Sequence, residues 1–165
     1  MKVSSRVLKE VKNFKNTDDL KLVTFSKTDS AMTDDLSTLY IDMKIIHNEL
    51  YPANDVYRLQ IIVNSEYPFK APQVQFVKYG INDKNKSKSY KIPIHPHIYS
   101  NGHICLNILY DGWTPAITLH AIGLSIQSML TGNKKYEKPE GDAKYCAVAP
   151  QNPLKSRWLF EDDTV

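Results

Sequence analysis

The sequence has few cysteines and no long apolar run, and each shortage excludes a class of protein. Only two cysteines, Cys105 and Cys146, occur in 165 residues, whereas small secreted domains that depend on disulfides are rich in cysteine. No apolar run approaches the roughly 20 residues that a membrane helix needs. The first residues, MKVSSRVLKEVKNFK, lack the apolar core of a secretory signal. We therefore expect a cytoplasmic or nuclear protein with no membrane partner and no disulfide between the two cysteines.

The chain also has little net charge. Its 21 lysines and arginines against 18 aspartates and glutamates give a formal charge of +3, and the lysines are spread along the chain with local density only at 84–91 and 134–138. Nucleic-acid-binding domains usually collect positive charge on one face beside stacking aromatic residues. We therefore expect no nucleic-acid partner. A content of 42% hydrophobic and 24% charged residues is typical of a globular protein, and we expect a single domain over 1–165.

The hydrophobic pattern of the first half predicts a helix followed by four strands. An amphipathic helix is expected in SSRVLKEVKNF, because four apolar residues share one face: Val7, Leu8, Val11 and Phe14. Strands are expected at 20–26, 38–46, 56–64 and 74–77, and the second and third alternate apolar and polar residues. Their even spacing and short connections predict an antiparallel meander with one solvated face. The lysine-rich stretch 80–91 is typical of a loop.

A second helix is expected at 118–130, after the sequence WTP. Apolar residues cover most of its circumference, with Thr118 as a plausible cap and Gly132 at its end, so it should be the buried central helix of an α+β fold. The remaining residues, 133–165, show no clear periodicity and are expected to form an irregular tail. Trp158 in this tail either folds against the domain or stays free to meet a substrate.

The stretch HPHIYSNGHICLNIL, residues 95–109, holds His95, His97, His103 and Cys105. These are zinc-ligand types, but structural zinc sites usually pair their ligands across short turns in two separate halves, and an extended chain directs successive side chains to opposite sides. A cysteine nucleophile would need a histidine base and an orienting group, which spacing alone does not supply. The third alternative is a buried structural cysteine, since apolar residues surround Cys105 in ICLNIL.

The order of motifs resembles the ubiquitin-conjugating enzymes. These enzymes have an N-terminal helix and a four-strand meander, then YPF-x-x-P, His-Pro-x, Gly-x-Ile-Cys-Leu and Trp-Thr-Pro-Ala. This sequence has YPFKAPQVQF (67–76), HPH (95–97), GHICLNIL (102–109) and WTPA (113–116), and the resemblance covers about residues 3–132. It is most similar to the W-type subfamily, which also has His-Pro-His where most members have His-Pro-Asn. The end of the chain, KSRWLFEDDTV, also suggests this subfamily.

The resemblance implies that Cys105 is the catalytic residue. It would accept the C-terminal carboxylate of ubiquitin from the ubiquitin-activating enzyme as a thioester and pass it to a substrate amine, usually with a ligase attached. A thiolate suits this task because it is both a strong nucleophile and a good leaving group. The activating enzyme consumes the ATP, so no cofactor is expected here.

The resemblance also implies roles for residues around the catalytic cysteine and on two contact surfaces. The active-site support residues would be His95, Pro96, His97 and Asn107. The contacts for ring-type ligases would be Phe69, Thr114, Pro115 and Ala116, and the contacts for the activating enzyme would be Arg6 and Lys9. His97 stands where most members have an asparagine that stabilises the oxyanion, so it either keeps a weaker form of that role or only braces the loop.

Two departures from the family pattern, His97 and Asn107 in place of an aspartate that many relatives carry, suggest a preference for α-amines over lysines. At pH 7 a lysine of pKa about 10.4 is about 0.04% neutral, and an α-amine of pKa about 7.8 is about 14% neutral. A site with a weak apparatus for deprotonating lysine would still serve the α-amine, and the W-type resemblance implies transfer to the flexible N-termini of protein substrates. The hypothesis is N-terminal monoubiquitination.

Two other classes compete with an active conjugating enzyme. One is a catalytically inert member of the same fold that serves as a binding scaffold, although such variants characteristically lack the cysteine. The other is a zinc-stabilised interaction module. The sequence does not decide between a monomer and a homodimer, nor does it identify the ligases and substrates.

Overall fold

The computed structural model describes residues 5–14, 23–25, 37–79 and 89–159. In chain order it contains α1 (Ser5–Phe14), β1 (Val23–Phe25), β2 (Thr38–Met43), β3 (Tyr57–Ile62) and β4 (Gln73–Phe76). A 3-10 helix (Asn107–Leu109), α2 (Leu119–Thr131), α3 (Asp142–Val148) and a second 3-10 helix (Pro153–Lys155) follow. The predicted helix, meander and central helix are confirmed, while 80–88 of the predicted loop lie outside the described residues. No helix in the described part of the chain has the length and apolar content to span a membrane.

The sheet is an antiparallel meander in the order β1-β2-β3-β4. Ile41 lies opposite Leu59, and Leu59 lies opposite Phe76, so apolar residues pair across three strands on one face. The central helix α2 packs against this inner face at β1 and β2, and α1 packs against α2. Gly123 allows the close approach, because a Cβ there would stand 2.9 Å from a methyl carbon of Val23.

The outer face of the sheet is not simply solvated, contrary to the expectation from the alternating pattern. Tyr40 is fully buried there. Gln60 Nε2 donates to the Tyr40 hydroxyl (3.1 Å), and Gln75 Nε2 donates to Gln60 Oε1 (3.1 Å). Arg58 Nε and Nη2 donate to the two carboxylate oxygens of Asp42 at 2.6 and 2.8 Å. Tyr40 and Arg58 can be buried on this face because each of these bonds replaces one to water.

One prediction about a helix face was wrong. In α1, Leu8 is 51% exposed while Glu10 is buried. The Glu10 carboxylate is buried because it accepts bonds from the Tyr67 hydroxyl (2.9 Å), from the backbone N–H of Leu119 (2.7 Å) and from Arg6. It thus places a negative charge at the N-terminus of α2, where the helix dipole favours one. In α2, the expected burial is confirmed over most of the helix, and Leu124 is exposed on the remaining side.

The segment after residue 132 contains more structure than the expected irregular tail. α3 begins beside Ser100, whose N–H and hydroxyl donate to the two carboxylate oxygens of Asp142 at 2.7 and 2.6 Å. Cys146 lies on α3 with its thiol 3.6 Å from an Asp142 oxygen, and neither Cys105 nor Cys146 forms a disulfide in the described part of the chain. This part of the chain therefore packs next to the histidine-rich stretch.

Candidate functional site

A tight turn positions the histidine-rich stretch against β4. Gly102 N–H donates to Tyr99 O (2.8 Å), and Phe76 N–H donates to Gly102 O (2.9 Å). Gly102 has φ +93°, and a Cβ there would stand 2.0 Å from Phe76 O. Only glycine fits both the dihedral angle and the contact. The turn therefore fixes the chain three residues before Cys105.

Cys105 follows this turn on irregular backbone, and its side chain is half-buried. Its N–H donates to His97 O (2.8 Å), and His97 Nδ1 lies 3.1 Å from Cys105 O. The carbonyl can only accept, so Nδ1 carries a proton and donates this bond. Through it, His97 braces the backbone of the cysteine.

His95 supports His97 from the interior. It is 1% exposed, and its Nδ1 accepts the N–H of His97 (2.9 Å). The pKa of His95 is lowered to about 4, chiefly by burial and also by its electrostatic interaction with His97, while the Met129 backbone opposes the shift. A neutral His95 is therefore fixed as an acceptor at Nδ1, with Pro96 half-buried between the two histidines.

Asn107 lies on the other side of Cys105 and begins the first 3-10 helix. Its backbone carbonyl accepts the N–H groups of Tyr110 (2.9 Å) and Gly112 (3.0 Å). Its Oδ1 is buried and has no hydrogen-bond partner among the described residues. Asn107 is thus held by the turn that follows Cys105.

The three histidines of the stretch do not converge as metal ligands. His103 turns away from His95 and His97, and its Nδ1 lies 2.8 Å from the Tyr145 hydroxyl on α3. Burial lowers the pKa of His103, and the Gln151 backbone opposes this. Within the described ranges, no group of three or more histidine, cysteine or acidic side chains could hold a metal ion.

An aromatic cluster around Trp158, which the sequence did not place in the site, lies next to the segment that reaches Cys105. The Trp158 ring lies 4.9 Å from Tyr110, 5.6 Å from Tyr145 and 6.0 Å from Tyr99, between centroids. Trp158 therefore folds against the domain, which settles the alternative left open by the sequence. The backbone carbonyl of Leu159 lies 3.7 Å from Cys105 Sγ. The aromatic residues before the two aspartates were the one sequence signal for this contact.

The residues expected to contact a ligase come together on one surface. Phe69 is 81% exposed, and Thr114, Pro115 and Ala116 are also exposed. Trp113 Nε1 donates to Pro68 O (2.8 Å) and so joins the two loops that carry these residues. An exposed phenylalanine beside a Pro-Ala loop forms a small apolar surface of the kind that binds a partner.

The residues expected to contact the activating enzyme lie at the N-terminal end of α1. Lys9 is exposed, and Arg6 is partly exposed beside Glu10. Arg6 Nη2 also donates to Pro115 O (3.2 Å). The two expected contact surfaces are therefore adjacent and share a hydrogen bond.

Comparison with known proteins agrees with this geometry. The family pattern described as "Ubiquitin-conjugating enzyme" matches residues 6–153. The chain is 42% identical over 136 residues to "Ubiquitin-conjugating enzyme E2 W" of Caenorhabditis elegans, with 82% of each chain covered. It is 39% identical over 125 residues to "Probable ubiquitin-conjugating enzyme E2 W-A" of Danio rerio, covering 76% of this chain and 75% of that one.

A solved structure has the same fold. The ubiquitin-conjugating enzyme E2 UbcA1 of Agrocybe aegerita superposes with a TM-score of 0.75 at 34% identity, covering 93% of this chain and 99% of that one. Sequence and fold thus point to the same family. The chain belongs to the ubiquitin-conjugating enzyme family.

Proposed function

We propose that Cys105 carries ubiquitin as a thioester and transfers it to the α-amine of protein substrates with flexible N-termini, with a ring-type ligase bound at Phe69 and the Thr114–Ala116 loop. The observation that carries this proposal is the environment of Cys105. It is a half-buried thiol whose backbone is braced by His97 on a rigid turn.

The chemistry is two acyl transfers. The Cys105 thiolate attacks the thioester carbonyl on the activating enzyme, the new C–S bond forms, and the donor sulfur leaves as a thiolate. The substrate amine then attacks the Cys105 thioester, loses a proton to solvent or a base, and expels the Cys105 thiolate. No cofactor on this chain takes part in either step.

The supply of neutral amine supports the α-amine preference. A lysine side chain is almost entirely protonated at pH 7 and must lose a proton before it can attack the thioester. An α-amine needs less help, because about 14% of it is already neutral at pH 7.

The first test is the charging reaction with activating enzyme, ubiquitin and ATP, followed by mass spectrometry without reducing agent. We expect one ubiquitin per chain, released by dithiothreitol. Cys105→Ser should give a more stable ester and Cys105→Ala none, while Cys146→Ser, the matched control, should charge normally. A chain that never charges would instead be the inert scaffold, and loss of the fold on metal chelation would indicate the zinc module.

The second test is discharge of the charged enzyme onto two peptides. One has a free N-terminus and no lysine, and its twin has an acetylated N-terminus and one lysine. We expect faster discharge onto the free N-terminus. Faster discharge onto the acetylated, lysine-containing peptide would disprove the α-amine preference without disproving the thioester.

A further inference from the structure

The backbone of the C-terminal segment lies against the candidate catalytic sulfur. The Leu159 carbonyl stands 3.7 Å from Cys105 Sγ, while the Leu159 side chain is 91% exposed. The contact is therefore made by the main chain, and the Leu159 side chain does not hold it in place. Some other residue must anchor the segment.

Trp158 is that anchor. Its ring packs among Tyr99, Tyr110, Tyr145 and His103, the last at 6.4 Å between centroids. Its Nε1 donates to Pro153 O (3.0 Å). Several aromatic contacts and one hydrogen bond thus fix the residue immediately before the carbonyl at the sulfur.

A chain of hydrogen bonds holds the other end of the segment. His103 Nδ1 lies 2.8 Å from the Tyr145 hydroxyl, and that hydroxyl lies 2.7 Å from Ser156 Oγ. His103 is two residues from Cys105 in sequence. The segment Ser156–Leu159 is therefore attached at both ends to elements of the active site.

We propose that Ser156–Leu159 is a removable cover over the Cys105 thiol, with Trp158 as its positioning residue. The Leu159 carbonyl can accept a weak hydrogen bond from the S–H group but repels a thiolate, so the closed cover favours the unreactive protonated thiol. It also occupies space beside the sulfur that an attached acyl group would need. The cover must open before an electrophile can react with the Cys105 thiol. That the cover also controls charging with ubiquitin rests on the proposed function.

The test is the rate at which iodoacetamide alkylates each cysteine, measured by mass spectrometry of the full-length protein after digestion. Cys146 is the internal reference, since it lies on α3 outside the cover. We expect Trp158→Ala to alkylate at Cys105 about fivefold faster or more, as loss of aromatic anchoring raises the open population. The rate at Cys146 should stay unchanged. Trp158→Phe should stay closer to the unmodified protein.

Leu159→Ala is the matched control, because it removes an exposed side chain and keeps the carbonyl, so its Cys105 rate should not change. An unchanged Cys105 rate in Trp158→Ala would overturn the cover. Equal acceleration at both cysteines would also overturn it, since that result means general loosening of the C-terminal segment. If Trp158→Ala speeds alkylation of Cys105 but the protein never accepts ubiquitin, the cover is supported and the proposed function is rejected.

Discussion

Replacing Gly102 should separate a steric requirement of the active-site turn from a mere conformational preference. Two described glycines have positive φ, Gly102 at +93° and Gly141 at +71°. A Cβ at Gly102 would lie 2.0 Å from Phe76 O, whereas a Cβ at Gly141 would meet nothing within 4 Å. Alanine is strained at both positions, more so at the larger φ of Gly102, and only there does its Cβ also meet β4; the difference between the two variants therefore measures mainly the contact with β4.

The expected magnitudes follow from these geometries. A positive φ costs alanine about 1 to 2 kcal/mol, and this is the whole effect expected for Gly141→Ala. At Gly102 the obstacle is backbone of a central sheet, so β4 and the turn must separate. Overpacking of this kind costs about 1 to 3 kcal/mol more, and losing the Phe76 N–H to Gly102 O bond adds about 1 kcal/mol. We therefore expect Gly102→Ala to lose about 4 kcal/mol.

Urea unfolding followed by tryptophan fluorescence measures both variants, and the charging reaction measures their activity. The turn orients Cys105, so Gly102→Ala should also charge poorly under conditions where it remains folded, while Gly141→Ala should charge normally. Equal losses of stability in the two variants would refute the steric argument. Normal charging by a folded Gly102→Ala would refute the claim that the turn positions the cysteine.

Three further predictions concern groups buried or capped in the fold. Burial lowers the pKa of His95 to about 4 in the folded protein, compared with about 6.5 in the unfolded chain. The stability that the neutral, buried His95 provides is therefore present above pH 6.5 and is lost as the pH falls towards 4. Urea titrations should therefore show about 2 kcal/mol less stability at pH 5 than at pH 7 from this group, and the difference should vanish in His95→Asn. Asp42→Ala leaves the buried Arg58 guanidinium without its carboxylate and should lower the free energy of unfolding by about 3 to 5 kcal/mol. Glu66→Ala breaks an exposed ion pair and should lower it by less than about 1 kcal/mol. Similar urea midpoints for the two variants would contradict this. Thr118→Ala removes the side chain that caps α2 by accepting Ala121 N–H and should cost about 1 kcal/mol in thermal unfolding, with Thr118→Ser retaining most of the stability.

Sequence patterns located the elements better than they located the faces of those elements. The inner face of the sheet followed from alternation, because Leu39, Ile41 and Leu59 have few alternatives to burial. Glu10 was missed because a buried carboxylate is tolerated only with partners, and its partners Tyr67 and Leu119 are distant in sequence. Periodicity contains no information about such partners.

The candidate site shows the same division. The residues around Cys105 could be named from the motif order, since turn, histidine and cysteine lie within one short stretch. The role of His97 as a brace required its distance to Cys105 O, which spacing alone does not supply. Helix α3 could not be expected at all, because seven residues are too few to be stable as an isolated helix, and its attachment to Ser100 forms only in the folded chain.

By itself, the sequence determined the α+β element order, the apolar face of the meander, the capped central helix and the identity of the candidate nucleophile. These properties depend on local pattern and on a run of neighbouring motifs. Only the tertiary structure decided that Trp158 packs among the tyrosines and that the Leu159 carbonyl lies on the Cys105 sulfur. The physical reason is that this contact joins residues 54 positions apart, and its geometry is set by packing that no local stretch of sequence encodes.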